Sequence, residues 1–157
     1  MMIREVRLFR ASDLAREAVE RALCSFLEAQ QNVVFAYVHG SFARGEPFHD
    51  IDVAVLFEDD HMLDALSWRS VDLARDLEAA IAGEQEGPPP PVDVRALNEA
   101  PLGFRYQVLR QGRLLVGKDE PLRTHWVVRT WSRYLDLKPL RDQALKEAMT
   151  SWQSTGI

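Results

Sequence analysis

Cysteine is almost missing from this chain: Cys24 stands alone among 157 residues, which excludes an internal disulfide and a cysteine-built zinc site. The spacing around it reads as a small, buried helix residue. No apolar run reaches the roughly 18 to 20 residues that cross a bilayer. The opening "MMIREVRLFRASDLAREA" is too charged for the apolar stretch of a signal peptide. A basic surplus is missing too: net charge is −5, and Lys and Arg are mixed with acids throughout. Binders of long nucleic acid carry a basic stripe, so that partner is not expected, although a single nucleotide is compatible with the composition. These absences point to a cytoplasmic protein without a membrane partner.

What is present is ordinary for a globular protein, with 46% hydrophobic and 27% charged residues. The length suits one domain spanning 1–157, with a core over about 12–117 and C-terminal helices over about 121–150. Residues 12–29 repeat apolar side chains at helical spacing behind Ser12, a suitable N-cap, and residues 62–82 do the same. "VVFAYV" (33–38), "IDVAVLF" (51–57), "VDVRAL" (92–97) and "RLLVG" (113–117) read as strands. "GEQEGPPPP" (83–91) reads as a stiff surface connection, because proline lacks the N–H donor. Residues 100–112 look helical with Gly112 as the C-cap, and a further helical stretch from about Pro121 should break or kink at Pro139. Trp126 and Trp131 are expected to pack that stretch on the domain. Strands separated by helices imply an α/β (α+β) sheet flanked by helices.

The chemistry concentrates in "HGSFARGEPFHDIDVAV", residues 39–55. Alternation along a strand turns Asp50 and Asp52 to one face and Ile51, Val53, Val55 and Phe57 to the other. Two adjacent carboxylates repel, and a hard divalent ion such as Mg²⁺ relieves them. Asp93, between Val92 and Val94, is a candidate third acid, as a metal ligand or as a base toward an acceptor hydroxyl. Gly40 allows a close approach of backbone to phosphate, Ser41 adds a hydroxyl, and Arg44 can brace a phosphate. "FARGE" can open a short helix. His39 and His49 flank the stretch, but no histidine spacing suggests a metal cluster.

These residues give the chain a resemblance to the nucleotidyltransferase superfamily of the DNA polymerase β type. More narrowly it looks like the minimal nucleotidyltransferase (MNT) antitoxins that pair with HEPN-domain toxins. The resemblance runs through "VFAYVHGS", the "ARG" of Ala43–Gly45, "DIDVAV", "VDV", "APLGFRYQVLRQGRLL" and the tail "YLDLKPLRDQAL". It implies a short mixed sheet, ATP as substrate with Gly40, Ser41 and Arg44 binding the nucleotide, and ligation of two Mg²⁺ ions by Asp50, Asp52 and Asp93. The implied reaction transfers AMP to a tyrosine of a HEPN ribonuclease, silencing it. The eight-residue loop "FARGEPFH" is shorter than the family's usual one. Neutralisation by binding alone, or transfer to a small molecule, are the alternatives.

Overall fold

The computed structural model describes residues 6–58 and 63–154. Its elements follow the order α1 (Asp13–Glu28), β1 (Val33–His39), α2 (Gly40–Ala43), β2 (Ile51–Phe57), α3 (Leu63–Ile81), β3 (Val92–Ala96), α4 (Leu102–Gln111), β4 (Arg113–Gly117) and α5 (Glu120–Ser154). The four strands form one mixed sheet in the order β3-β2-β1-β4. β1 pairs antiparallel with β2 and β4, while β2 and β3 run parallel. The fold is the α/β sheet with flanking helices that the strand and helix periods imply, and its mixed pairing is the one the resemblance implies.

Ser12 caps α1 by accepting the Ala15 N–H at 3.4 Å, and Val19, Leu23 and Leu27 then fall on one buried face. On α3 the same spacing buries Leu66, Leu73, Leu77 and Ile81. These two faces close over Val38, Ile51, Val53, Val55, Phe57, Val92 and Val94 of the sheet. Each such side chain taken fully out of water contributes about 1.5 to 3 kcal/mol. On the opposite sheet face, Phe35, Tyr37 and Ala54 pack against Val108 and Leu109 of α4 and Trp126 of α5. The Trp126 ring meets Phe35 edge-on at 5.2 Å, and Tyr106 contacts Trp131 and stacks on Tyr134, so α5 is fixed by aromatics over its first turns.

Two expectations are corrected. α5 is a single helix of 35 residues that continues through Pro139. Beyond Tyr134 this helix is exposed on every side, so the Leu135 carbonyl that loses its N–H partner at Pro139 can be hydrated, which removes the usual reason to stop. Gly112 is the C-cap of α4, as expected, in an extended conformation (φ −84°). Glycine is required there by space: a Cβ would lie 2.5 Å from the Val108 carbonyl oxygen and 3.1 Å from that of Val38. The short helix after β1 starts at Gly40, two residues ahead of the Phe that opens "FARGE". The N-terminal segment contributes an isolated bridge from Phe9 to Phe48. His61 and most of the acidic stretch 58–64 lie outside the described residues. Among the described residues no helix is long and apolar enough to cross a membrane.

Candidate active site

β1 ends at His39 and the chain turns at once through Gly40, whose φ of +73° suits glycine alone. Space gives a second reason, since a Cβ on Gly40 would fall 2.2 Å from Asp52 Oδ2. The backbone of the Gly-Ser turn is thus packed directly on the first carboxylate of β2. Arg44 donates to Ser41 Oγ at 3.3 Å and to Glu46 Oε2 at 3.2 Å, so three of the turn's polar side chains are joined. Inside the loop Phe42 and Phe48 are buried edge-to-face with ring centroids 5.0 Å apart, which lets eight residues return the chain to β2.

Two arginines that the sequence pattern did not single out hold this loop from outside. Arg16 of α1 donates to the carbonyls of Phe42 (2.7 Å) and Glu46 (2.9 Å), with its guanidinium over the Phe42 ring. Arg113 of β4 donates to the Ala43 carbonyl. Neither carries a local signal, because the partners are 26 to 70 residues away. Arg95 was within reach of the pattern: alternation along "VDVRAL" puts it on the face of Asp93, and its Nε stands 3.5 Å from Asp93 Oδ2.

Strand register assembles the acids. His39 is opposite Asp52 across the β1–β2 pair, and Asp52 is opposite Asp93 across the parallel β2–β3 pair. The three therefore form a row on one face of the sheet. Asp50 lies two residues ahead of Asp52, before the strand begins, and borders a hollow of about 470 Å³ with Phe9, His49, Glu78 and Pro91. Burial, followed by repulsion from Asp50 and Asp93, pushes the Asp52 carboxyl up to about 6, with Arg95 and Arg44 opposing. Burial lowers His39 to about 4 against the attraction of Asp93. Its ring is edge-on to Phe104 of α4, and the buried Nε2 has no hydrogen-bond partner among the described residues. Phe104 thus borders the site.

Among the described residues no three His, Cys, Asp or Glu side chains are drawn together as a finished metal cage. The donors nonetheless suit a hard cation, since burial and then two neighbouring carboxylates raise the Asp52 carboxyl, and these acids offer only oxygen. Such ions are commonly held by one or two carboxylates and completed by substrate phosphates.

A mixed sheet whose second strand starts with paired acids beside a Gly-Ser turn defines a nucleotidyltransferase-type fold. The family model "Polymerase beta, Nucleotidyltransferase" matches residues 22–121, and the chain belongs to this family. No curated protein matches the sequence. Among solved structures, one similar chain comes from a toxin–antitoxin complex with AMP-PNP, at 26% identity and TM-score 0.63 over 83% of this chain and 98% of that one. Another comes from a tri-AMPylated Shewanella oneidensis HEPN toxin in complex with MNT antitoxin, at 25% identity and TM-score 0.62 over 85% and 98%. A third, from the toxin–antitoxin MntA-HepT, has 25% identity and TM-score 0.61 over 85% and 98%.

Proposed function

We propose that this chain is an antitoxin that transfers AMP from ATP to a tyrosine hydroxyl of a partner HEPN-domain toxin and so neutralises it. The observation that carries the reading is the contact between the Gly40 turn and Asp52, with Asp93 in register beside it. Phosphate-binding backbone and acidic side chains then converge at one end of the sheet. Family membership supports the reaction class, and the solved toxin–antitoxin complexes support the partner. The whole chain would act as one domain, with α5 carried on the catalytic core.

In this reading Gly40, Ser41 and Arg44 bind the phosphates of ATP. The acceptor hydroxyl oxygen forms a bond to the α-phosphorus while the bond from that phosphorus to the bridging oxygen breaks. Pyrophosphate leaves with the bonding pair, and the hydroxyl proton passes to Asp93 as the base. Asp50, Asp52 and Asp93 would hold Mg²⁺, which when bound stabilises charge on the attacking and leaving oxygens. Arg95, with its Nε 3.5 Å from Asp93 Oδ2, orients that carboxylate.

The test incubates the chain with Mg²⁺, radiolabelled ATP and the HEPN-domain protein encoded beside it. Label should appear on the partner, and Asp50→Ala/Asp52→Ala should remove it by a factor of at least about 10³. Undiminished labelling by the double variant overturns the site. Rescue of cells from the toxin by the unlabelling variant would instead mean neutralisation by binding alone.

A further inference from the structure

β3 is an edge strand of the sheet, and among the described residues no strand pairs with its outer side. Two bonds fix which of its groups face β2: the Ile51 N–H donates to the Pro91 carbonyl at 2.9 Å, and the Leu97 N–H donates to the Val55 carbonyl at 2.8 Å. Alternation in a parallel ladder then directs the backbone groups of Val92, Val94 and Ala96 outward. Glu78 of α3 takes the Val92 N–H at 2.9 Å. For the N–H groups of Val94 and Ala96 there is no partner among the described residues. Beside this edge, α3 and β3 enclose a groove made of two hollows of about 340 and 410 Å³ that share Ser70, Val71 and Val94. Val71 is half exposed, and Trp68, three residues earlier on α3, is 70% exposed.

We infer that this groove receives an extended segment of the acceptor protein, which adds to the outer edge of β3 as a fifth strand and presents its hydroxyl residue opposite Asp93. The inference rests on the protein-acceptor reading above. Register decides it. His39, Asp52 and Asp93 already occupy successive places in one row across β1, β2 and β3. A strand added to β3 takes the next place, with its Cα about 4.5 to 5.5 Å from that of Asp93 and its side chain on the same face. A serine, threonine or tyrosine there points toward the carboxylates without further folding of the segment. Asp93 is in the narrower, non-hydrogen-bonded kind of pair if the addition is antiparallel, because Val94 supplies the ladder bonds. Strand addition draws affinity from main-chain bonds and selectivity from alternate side chains, so it suits a flexible acceptor segment. Pairing of two copies of this chain through the same edge is the competing occupant.

The experiment reads amide exchange residue by residue in the complex with the adjacent HEPN-domain protein, held with AMP-PNP so that no transfer occurs. Exchange at Val94 and Ala96 should slow at least tenfold on complex formation, whereas unchanged exchange at both overturns the inference. Protection of the same amides in the isolated chain, rising with its own concentration, would assign the edge to self-pairing and also overturn it. Ala96→Pro removes one outward donor without touching the β2 ladder. It should raise KM for the protein acceptor about tenfold and leave ATP binding unchanged. Equal KM in the variant and the parent rejects the docking mode while AMP transfer stands. Absence of transfer by the parent rejects the functional reading, and the exchange result still decides the docking.

Discussion

Toward α1 and α3 the sheet presents Val38, Ile51, Val53, Val55, Phe57, Val92 and Val94, none more than 7% exposed. Toward α4 and α5 it presents Phe35, Tyr37 and Ala54, with Arg95 beside Ala54, and at the other end His39, Asp52 and Asp93. The same strands supply both faces, so the difference lies in what covers them. Two long amphipathic helices close the first face along its length. On the second face the aromatic packing of α4 and α5 ends near Phe104, and polar groups occupy what remains. The closed face should therefore govern stability and the half-open face should govern chemistry.

The largest expected effect tests the closed face. Phe57→Ala removes a ring that is 2% exposed and should lower unfolding free energy by about 3 to 5 kcal/mol in urea titration. A loss under about 1 kcal/mol would mean that the face collapses around the gap or was never the main core. On the open face, Gly40→Ala must displace the Asp52 carboxylate and hold alanine at φ +73°. AMP transfer should fall about 100-fold, near 2.7 kcal/mol in the barrier, for a smaller loss of stability. Equal activity would separate the turn from the chemistry. Arg16→Gln loosens the loop from α1 without touching the turn itself. KM for ATP should rise roughly tenfold with kcat little changed, as expected for a residue that positions rather than reacts.

The closed face was the more legible one. Apolar residues at every second place in "IDVAVLF" gave β2 to the residue and put Asp52 on the opposite side from Val53, because burial enforces the alternation. The helices α1, α3 and α4 were found for the same reason, within two residues. Contacts between distant segments were not legible, since Arg16 and Arg113 reach the loop only after the fold brings α1 and β4 to it. Pro139 misled because its usual effect assumes a helix that cannot hydrate a freed carbonyl. Arg95 was visible in the alternation of β3 but was overshadowed by the acid beside it. The register that aligns His39, Asp52 and Asp93 needs the strand order, and "VDV" alone does not contain it.

The smallest effect sharpens the contrast most, because the two faces should respond with opposite sign. Asp52 titrates at about 6 in the native chain and at 3.8 as an ordinary aspartate, so the folded state holds an extra proton between those values. Its contribution to stability is complete below pH 3.8 and is lost as pH rises through 6. His39 works against it in an overlapping window. Its value falls from 6.5 to about 4 on folding, so the native state holds fewer protons there and gains stability as pH rises. The parent's stability curve mixes both effects, whereas the difference between parent and Asp52→Asn isolates the first. Without divalent cation the variant should match the parent near pH 3.5 and exceed it by about 1 kcal/mol at pH 7, after allowance for solvent screening. Mg²⁺ with ATP should stabilise the parent more than the variant and narrow the gap. A variant less stable than the parent at pH 7 would mean that Asp52 stabilises this fold, and the division of labour between the two faces would fail.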